Sequence, residues 1–213
     1  MAPMTGGPSP VRRVVDRGAV ADAFAASARL AAERGVRLET ALDDPAFQTL
    51  AGIAGPDGPA GIEPVARLVE NRLGVLRTAL PWGADLLAYE GARFRAALAG
   101  DPRSPGRGPA RAPSAQVLDL DWDVTGLAEA ARRGDATLPA PARGPVRVLV
   151  VRTPAGAVQA VPCSDDLLVL LARLDGEQPA VALAARLGRP EADVRQALAR
   201  LAALGAVTGA GSP

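Results

Sequence analysis

The hydrophobic period of this chain changes across a stretch of proline, glycine and arginine. Up to residue 100 the apolar side chains recur every three or four positions, whereas in VLDLDWDV (117–124) they alternate with aspartates from Leu118 onward. A period near 3.6 lays a stripe along a helix, and a period of 2 splits a strand into two faces. A chain that carries both patterns, the helical one over most of its length, is expected to be α+β, mainly α. With 213 residues, 48% of them hydrophobic, there is enough apolar material for a real core. Three Phe, two Trp and one Tyr make that core aliphatic.

Four segments follow from this pattern. Residues 1–14 hold three Pro and two Gly without a period and read as a flexible tail. Residues 15–100 read as a helical domain. Its first helix carries Val20, Phe24, Ser27 and Leu30 and stops at Gly35. Asp44-Pro45 opens a short helix through Phe47, Leu50 and Ile53, before the turn-rich GPDGPAG. Glu63-Pro64 opens a helix with Val65, Leu68, Val69, Leu73, Leu76 and Leu80 on one stripe, and residues 83–99 form the last. Residues 101–116, rich in Pro, Gly and Arg, read as an extended, solvated linker.

Residues 117–213 read as a winged-helix-like domain. A strand with Leu118, Leu120 and Trp122 on one face precedes a short helix capped by Thr125. The β-branched run VRVLVVR, the turn Pro-Ala-Gly and a second apolar run make a hairpin over 146–161. Three helices follow, opened by Ser164, Pro179 and Pro190 and stopped by Gly176, Gly188 and Gly205.

The chemistry open to the chain is narrow. It has no His and a single Cys, which removes imidazole-based acid, base and metal chemistry, internal disulfides and multi-Cys metal sites. Asp119, Asp121 and Asp123 lack the Gly and Glu of a calcium loop, since Val124 and Ala130 stand at those places. Cys163 follows Pro162 and has no base to activate it. Asp85 and Glu90 are five apart, about 140° around a helix, and so are not paired for acid–base work. No catalytic residue and no metal site is expected in this chain.

All 24 basic residues are Arg, and against 23 acids the net charge is +1, which draws the protein to neither nucleic acid nor anionic lipid. No apolar run is long enough to span a bilayer, and residues 1–18 carry no signal-like core, so a cytoplasmic protein is expected. The segment 183–207 has the pattern of a helix-turn-helix, but its last helix sets Glu191 and Asp193 against Arg195 and Arg200. Residues 163–213 hold five Arg and six acids. A winged-helix transcription regulator is therefore the second reading, and peptide or protein binding the first.

Residues 79–98, ALPWGADLLAYEGARFRAAL, resemble the Pro-aromatic-x-x-Asp-Leu-x-x-Tyr-Glu helix of small partner subunits of multinuclear iron enzymes. Those enzymes modify cysteine in ribosomally made peptides, as in methanobactin-type and thiaglutamate-type pathways. The strand LDLDWDV, the strand VRVLVVRT and the helix SDDLLVLLARLDGE follow in the same order as in that family. The likeness spans roughly residues 62–208, and the C-terminal part resembles the precursor-recognition element of the pyrroloquinoline-quinone peptide chaperone.

The resemblance implies a non-catalytic subunit that docks on a TIM-barrel iron enzyme and helps hold the precursor peptide. The iron belongs to the partner, with no cofactor in this chain. Pro81, Trp82, Asp85, Tyr89 and Glu90 match the motif and are the expected partner-binding residues. Gly83 and Gly91 stand where bulkier residues are common in that family. An extended leader is expected to add as a strand along Arg147, Val148, Leu149, Val150, Val151 and Arg152. In that arrangement Arg147, Arg152 and Arg195 would pair with acidic leader side chains.

Overall fold

The computed structural model describes residues 17–47, 49, 62–100 and 107–209. The expected tail at 1–14, most of the helix after Pro45, the GPDGPAG turn and the first part of the linker lie outside the described residues.

The fold is mainly α with small antiparallel sheets, as the change of period implied. The first helical stripe forms α1 (Arg17–Ala23) and α2 (Ala25–Ala32), interrupted at Phe24, whose backbone turns to φ −106° and ψ 30°. Gly35, at φ 77°, closes the segment. After α3 (Leu38–Leu42), the Asp44 Oδ1 accepts the Ala46 N–H at 2.8 Å, the N-terminal cap read from Asp44-Pro45.

The stripe expected as one helix over 63–80 is two, α4 (Ile62–Arg72) and α5 (Val75–Ala79). The break comes from tight i→i+3 bonds, Gly74 N–H to Asn71 C=O at 3.1 Å and Leu76 N–H to Leu73 C=O at 3.1 Å. α6 (Gly83–Leu98) is long and central, burying residues on nearly every side. Val20, Phe24, Val65, Val69, Leu73, Leu76, Leu87 and Phe94 form one core among these helices, with the Phe24 and Phe94 rings 5.9 Å apart.

The linker expectation fails for residues 107–116. Ala110–Arg111 is a strand, β1, paired antiparallel with β5 (Val207–Thr208), and Gly108 donates to the Gly176 C=O at 2.8 Å. Ala112, Ser114 and Ala115 are buried. Small side chains fit under the C-terminal helices while β5 and the Gly176 turn satisfy the backbone, so a Pro-rich composition does not leave this piece in solvent.

The main sheet has the order β2 (Gln116–Asp123), β3 (Ala142–Arg152), β4 (Val158–Pro162), all antiparallel. Between β2 and β3 runs α7 (Thr125–Arg132). Thr125 is its first residue rather than its cap. Asp123 Oδ1 takes the Thr125 N–H at 3.1 Å and the Thr125 hydroxyl at 2.6 Å.

The sheet separates two helical layers. Val148 and Val150 face α6, α2 and α7, while Leu149 and Val151 face α8 (Asp165–Leu171), α9 (Ala180–Leu187) and α10 (Glu191–Leu204). Each such side chain, wholly removed from water, contributes roughly 1.5–3 kcal/mol. Three of the caps fall as read: Ser164 Oγ accepts the Leu167 N–H at 3.3 Å, and Gly188 (φ 63°) and Gly205 (φ 81°) end α9 and α10 in the left-handed region, whereas α8 already ends at Ala172, short of the expected stop at Gly176.

Candidate functional site

The five motif residues of α6 do not form one surface. Pro81 is exposed and Trp82 half-buried at the start of the helix, but Tyr89 and Glu90 are completely buried. The expectation that Tyr89 and Glu90 present themselves to a partner is corrected on this point. Both fall on the inward side of a helix packed from several directions, where Tyr89 joins Leu86, Ala92 and the sheet face of Leu120 and Val150. Burial pushes the Tyr89 hydroxyl above its ordinary pKa.

Arg93, one turn further, lies beside the Tyr89 ring and donates to its hydroxyl at 3.3 Å, to Glu129 of α7 at 2.6 Å and to the Val158 C=O of β4 at 3.3 Å. A guanidinium only 4% exposed is thereby paired and hydrogen-bonded, which is how a buried charge is tolerated. Sequence reading missed Arg93. Its signal was a cation four residues after Tyr89, on the same stripe of the helix.

Asp85 and Glu90 are both backbone clamps. Asp85 Oδ2 accepts the N–H of Asp121 and of Trp122, each at 2.9 Å, at the point where the β2–β3 register shifts. A bulge leaves such amides without a ladder partner, and the carboxylate supplies one. Glu90 Oε1 accepts Ala26 N–H at 2.9 Å and Oε2 accepts Ser27 N–H at 3.0 Å, which ties α6 to the start of α2. Burial is the main influence on the Glu90 carboxyl and raises it to about 7.

Close approach marks both glycines of this segment, by side-chain ends at Gly91 and by backbone at Gly83. A β-carbon on Gly91 would stand 2.0 Å from Glu70 Oε1, a carboxylate that, with Glu63, holds Arg95 of α6. A side chain at Gly83 would strike backbone.

Residues Arg147–Arg152 are not an edge. They form the C-terminal half of the central strand, in which Val148, Leu149 and Val150 each pair with β2 on one side and β4 on the other, so no peptide can add along those three without displacing a neighbour. Their uninterrupted apolar run, buried on both faces, is the physical reason.

The three arginines are engaged. Arg147 pairs with Asp119 at 2.5 Å and with Asp165; Arg152 donates to the Ala99 C=O at 2.7 Å and the Ala97 C=O at 3.3 Å; Arg195 pairs with Glu191 at 2.6 Å. An acidic leader would have to compete for each of them. Burial raises the Cys163 thiol above its usual value, which keeps it protonated.

The usable edges are those of β2 and β4. Bonds from Cys163 N–H to Arg147 C=O and from Thr153 N–H to Ala157 C=O bracket the β3–β4 ladder. By alternation, Val161 and Gln159 bond inward, and Val158, Ala160 and Pro162 turn their main chain outward. The Val158 C=O takes Arg93 and Pro162 has no N–H, while the outward N–H and C=O of Ala160 meet no partner among the described residues. On the other edge, Asp85 occupies the amides at the bulge, and Asp119, Asp121 and Asp123 stand exposed along the strand. Charged side chains and a bulge are devices that keep an edge from pairing.

Immediately after β4, helices α8 and α10 enclose a groove of about 260 Å³. It is floored by Leu170, Leu187, Val194 and Ala197 and rimmed by Asp166, which pairs with Arg189 at 2.7 Å. Val169 in its wall is 48% exposed.

Among the described residues no cluster of carboxylates or Cys is arranged to hold a metal, and no helix is long and apolar enough to cross a membrane. No protein-family model and no curated protein sequence matches the chain.

Proposed function

We propose that the chain is a non-catalytic partner protein that holds the leader of a ribosomally made precursor peptide for a TIM-barrel multinuclear iron enzyme acting on cysteine. The observation that carries the reading is the β4 edge, where the main chain of Ala160 turns outward and meets no partner among the described residues; the apolar groove between α8 and α10 offers a second surface for side chains. An extended peptide gains affinity from main-chain pairing at such an edge and specificity from side chains lodged in a neighbouring pocket. The order of motif helix, strands and C-terminal helices resembles that of the partner subunits of such enzymes, and this resemblance is the support for the choice of peptide and enzyme.

A DNA-reading role has less support. The presented helix α10 has its first-turn Glu191 bonded to Arg195, leaving little positive field at the surface.

The test is a titration of the fluorescently labelled precursor of such a pathway, taken from the chain's own gene neighbourhood, against the wild type and Ala160→Pro. Proline there removes an outward N–H and no ladder bond, so the fold is retained. Affinity is expected to fall about tenfold, the equivalent of roughly 1.4 kcal/mol. Equal binding by folded wild type and variant would move the peptide off this edge. Binding to promoter DNA without binding to the peptide would replace the reading by that of a regulator.

A further inference from the structure

We infer that the β4 edge is self-complementary and pairs with the β4 edge of a second copy of this chain, joining two three-stranded sheets into one across a two-fold axis at Ala160. The two edges of the sheet differ. β2 is protected by the exposed Asp119, Asp121 and Asp123, by its register shift, and by Asp85, which occupies the amides there. β4, Val-Gln-Ala-Val-Pro, has no charge and no register shift, only a proline at its end. Gln159 and Pro162 are exposed and Val158, Ala160 and Val161 are half-buried, so solvent reaches the whole edge.

The outward groups match when the strand is set antiparallel against itself. Only alternate residues of an antiparallel edge offer their main chain, here Val158, Ala160 and Pro162. With Ala160 opposite Ala160 of the second copy, each donates its N–H to the C=O of the other. Val158 then stands opposite Pro162 of the second copy and gives its N–H to that C=O. The return bond is the one a proline cannot make, and the Val158 C=O that would receive it already accepts from Arg93 at 3.3 Å. The missing donor and the occupied acceptor fall at the same place, so the pairing leaves no main-chain group of this edge without a partner. A two-fold interface demands this of a patch, because each residue must suit the one that symmetry sets opposite. The side chains agree with the register. Gln159 comes opposite Val161 of the second copy, the axis holds only the small Ala160, and Asp165, the first charge beyond the strand, comes abreast of the uncharged turn at Pro154–Ala157.

The contact is short and belongs with weak, reversible assemblies, with a dissociation constant on the order of 10–100 µM. The self-pairing needs no peptide. Where the edge also takes the leader as proposed above, the two occupants exclude each other and the dimer is the peptide-free form; only this consequence rests on that reading.

Sedimentation of the full chain without peptide, from about 1 to 300 µM, reads the association, and amide hydrogen exchange over the same range locates it. A dimer is expected to form across that range. Exchange at Val158 and Ala160 slows severalfold as it does so, while Gln159 and Val161, bonded to β3 in either state, do not change. Ala160→Pro removes both bonds on the axis and no ladder bond, and is expected to stay monomeric where the wild type is dimeric. A wild type that is monomeric throughout overturns the inference. So does a dimer in which Val158 and Ala160 exchange as fast as in the monomer, or a folded Ala160→Pro that associates as the wild type does. If Ala160→Pro does not fold, the concentration dependence of exchange at Val158 and Ala160 in the wild type decides. Adding the labelled precursor separates this inference from the leader reading. A dimer that persists with the precursor bound keeps the self-pairing and moves the leader off this edge, whereas a chain that is monomeric without precursor and binds it at Ala160 keeps the leader and overturns the dimer.

Discussion

A β-carbon on Gly83 would lie 1.9 Å from the carbonyl oxygen of Leu76. The first turn of α6 thus rests directly on the backbone of α5, and the Gly83 N–H reaches the Leu80 C=O at 3.0 Å to close the corner. This contact sets the angle at which α6 crosses the sheet, and with it the reach of Asp85 to the β2 bulge.

Gly83→Ala is accordingly expected to destabilise the protein, because neither backbone can yield without moving a helix. Overpacking against backbone costs about 3 kcal/mol, near the top of the usual range. In a chain of this size that lowers the melting temperature by roughly 6–12 °C. Calorimetry measures it, and a melting temperature within a degree of wild type would mean that α5 and α6 can separate freely.

Asp85 makes a different prediction from a docking residue. Asp85→Ala leaves two bulge amides without an acceptor, at a partly solvated site, for a loss of about 1–2 kcal/mol. Asp85→Asn keeps an oxygen and should fall between. Exchange at the Asp121 and Trp122 amides should rise in the Ala variant. Unchanged melting and exchange, with loss only of complex formation, would return Asp85 to the surface role implied by the family resemblance.

Much of the fold could be read before any coordinates. The alternation of Leu118, Leu120 and Trp122 placed β2, Ser164 announced the start of α8, and Gly188 and Gly205 marked the stops, since each depends only on neighbours along the chain. The error at Arg147–Arg152 is of another kind. Which strand lies in the middle is a long-range fact, and a hairpin pattern is the same whether or not a third strand covers it. The continuous run Val148–Val151 did carry a hint, because a strand buried on both faces loses its alternation.

Glu90 was misread because the motif match, rather than its position on the helix, assigned it to a partner surface. It follows Leu86 by four and precedes Phe94 by four, on the stripe that faces inward, so its place on the helix pointed to the core. The β1–β5 pair had no local signal at all, being two residues of each strand joined across the length of the C-terminal half.

Tyr89 offers the sharpest separation of core from interface. Its ring is sealed between α6, α7 and the sheet, so Tyr89→Ala removes a fully buried aromatic and leaves a cavity that rigid neighbours cannot fill. The expected cost is about 3–5 kcal/mol. Tyr89→Phe keeps the ring and loses only the 3.3 Å bond from Arg93, whose guanidinium retains Glu129 and the Val158 C=O. That variant should lose about 1 kcal/mol. Urea unfolding of the two proteins gives both numbers, and the ratio between them is the test. Near-equal small losses would mean that the ring packs loosely and remains available to a partner. A large loss for Phe as well would mean that the hydroxyl, through Arg93, holds the α6–α7–β4 junction together.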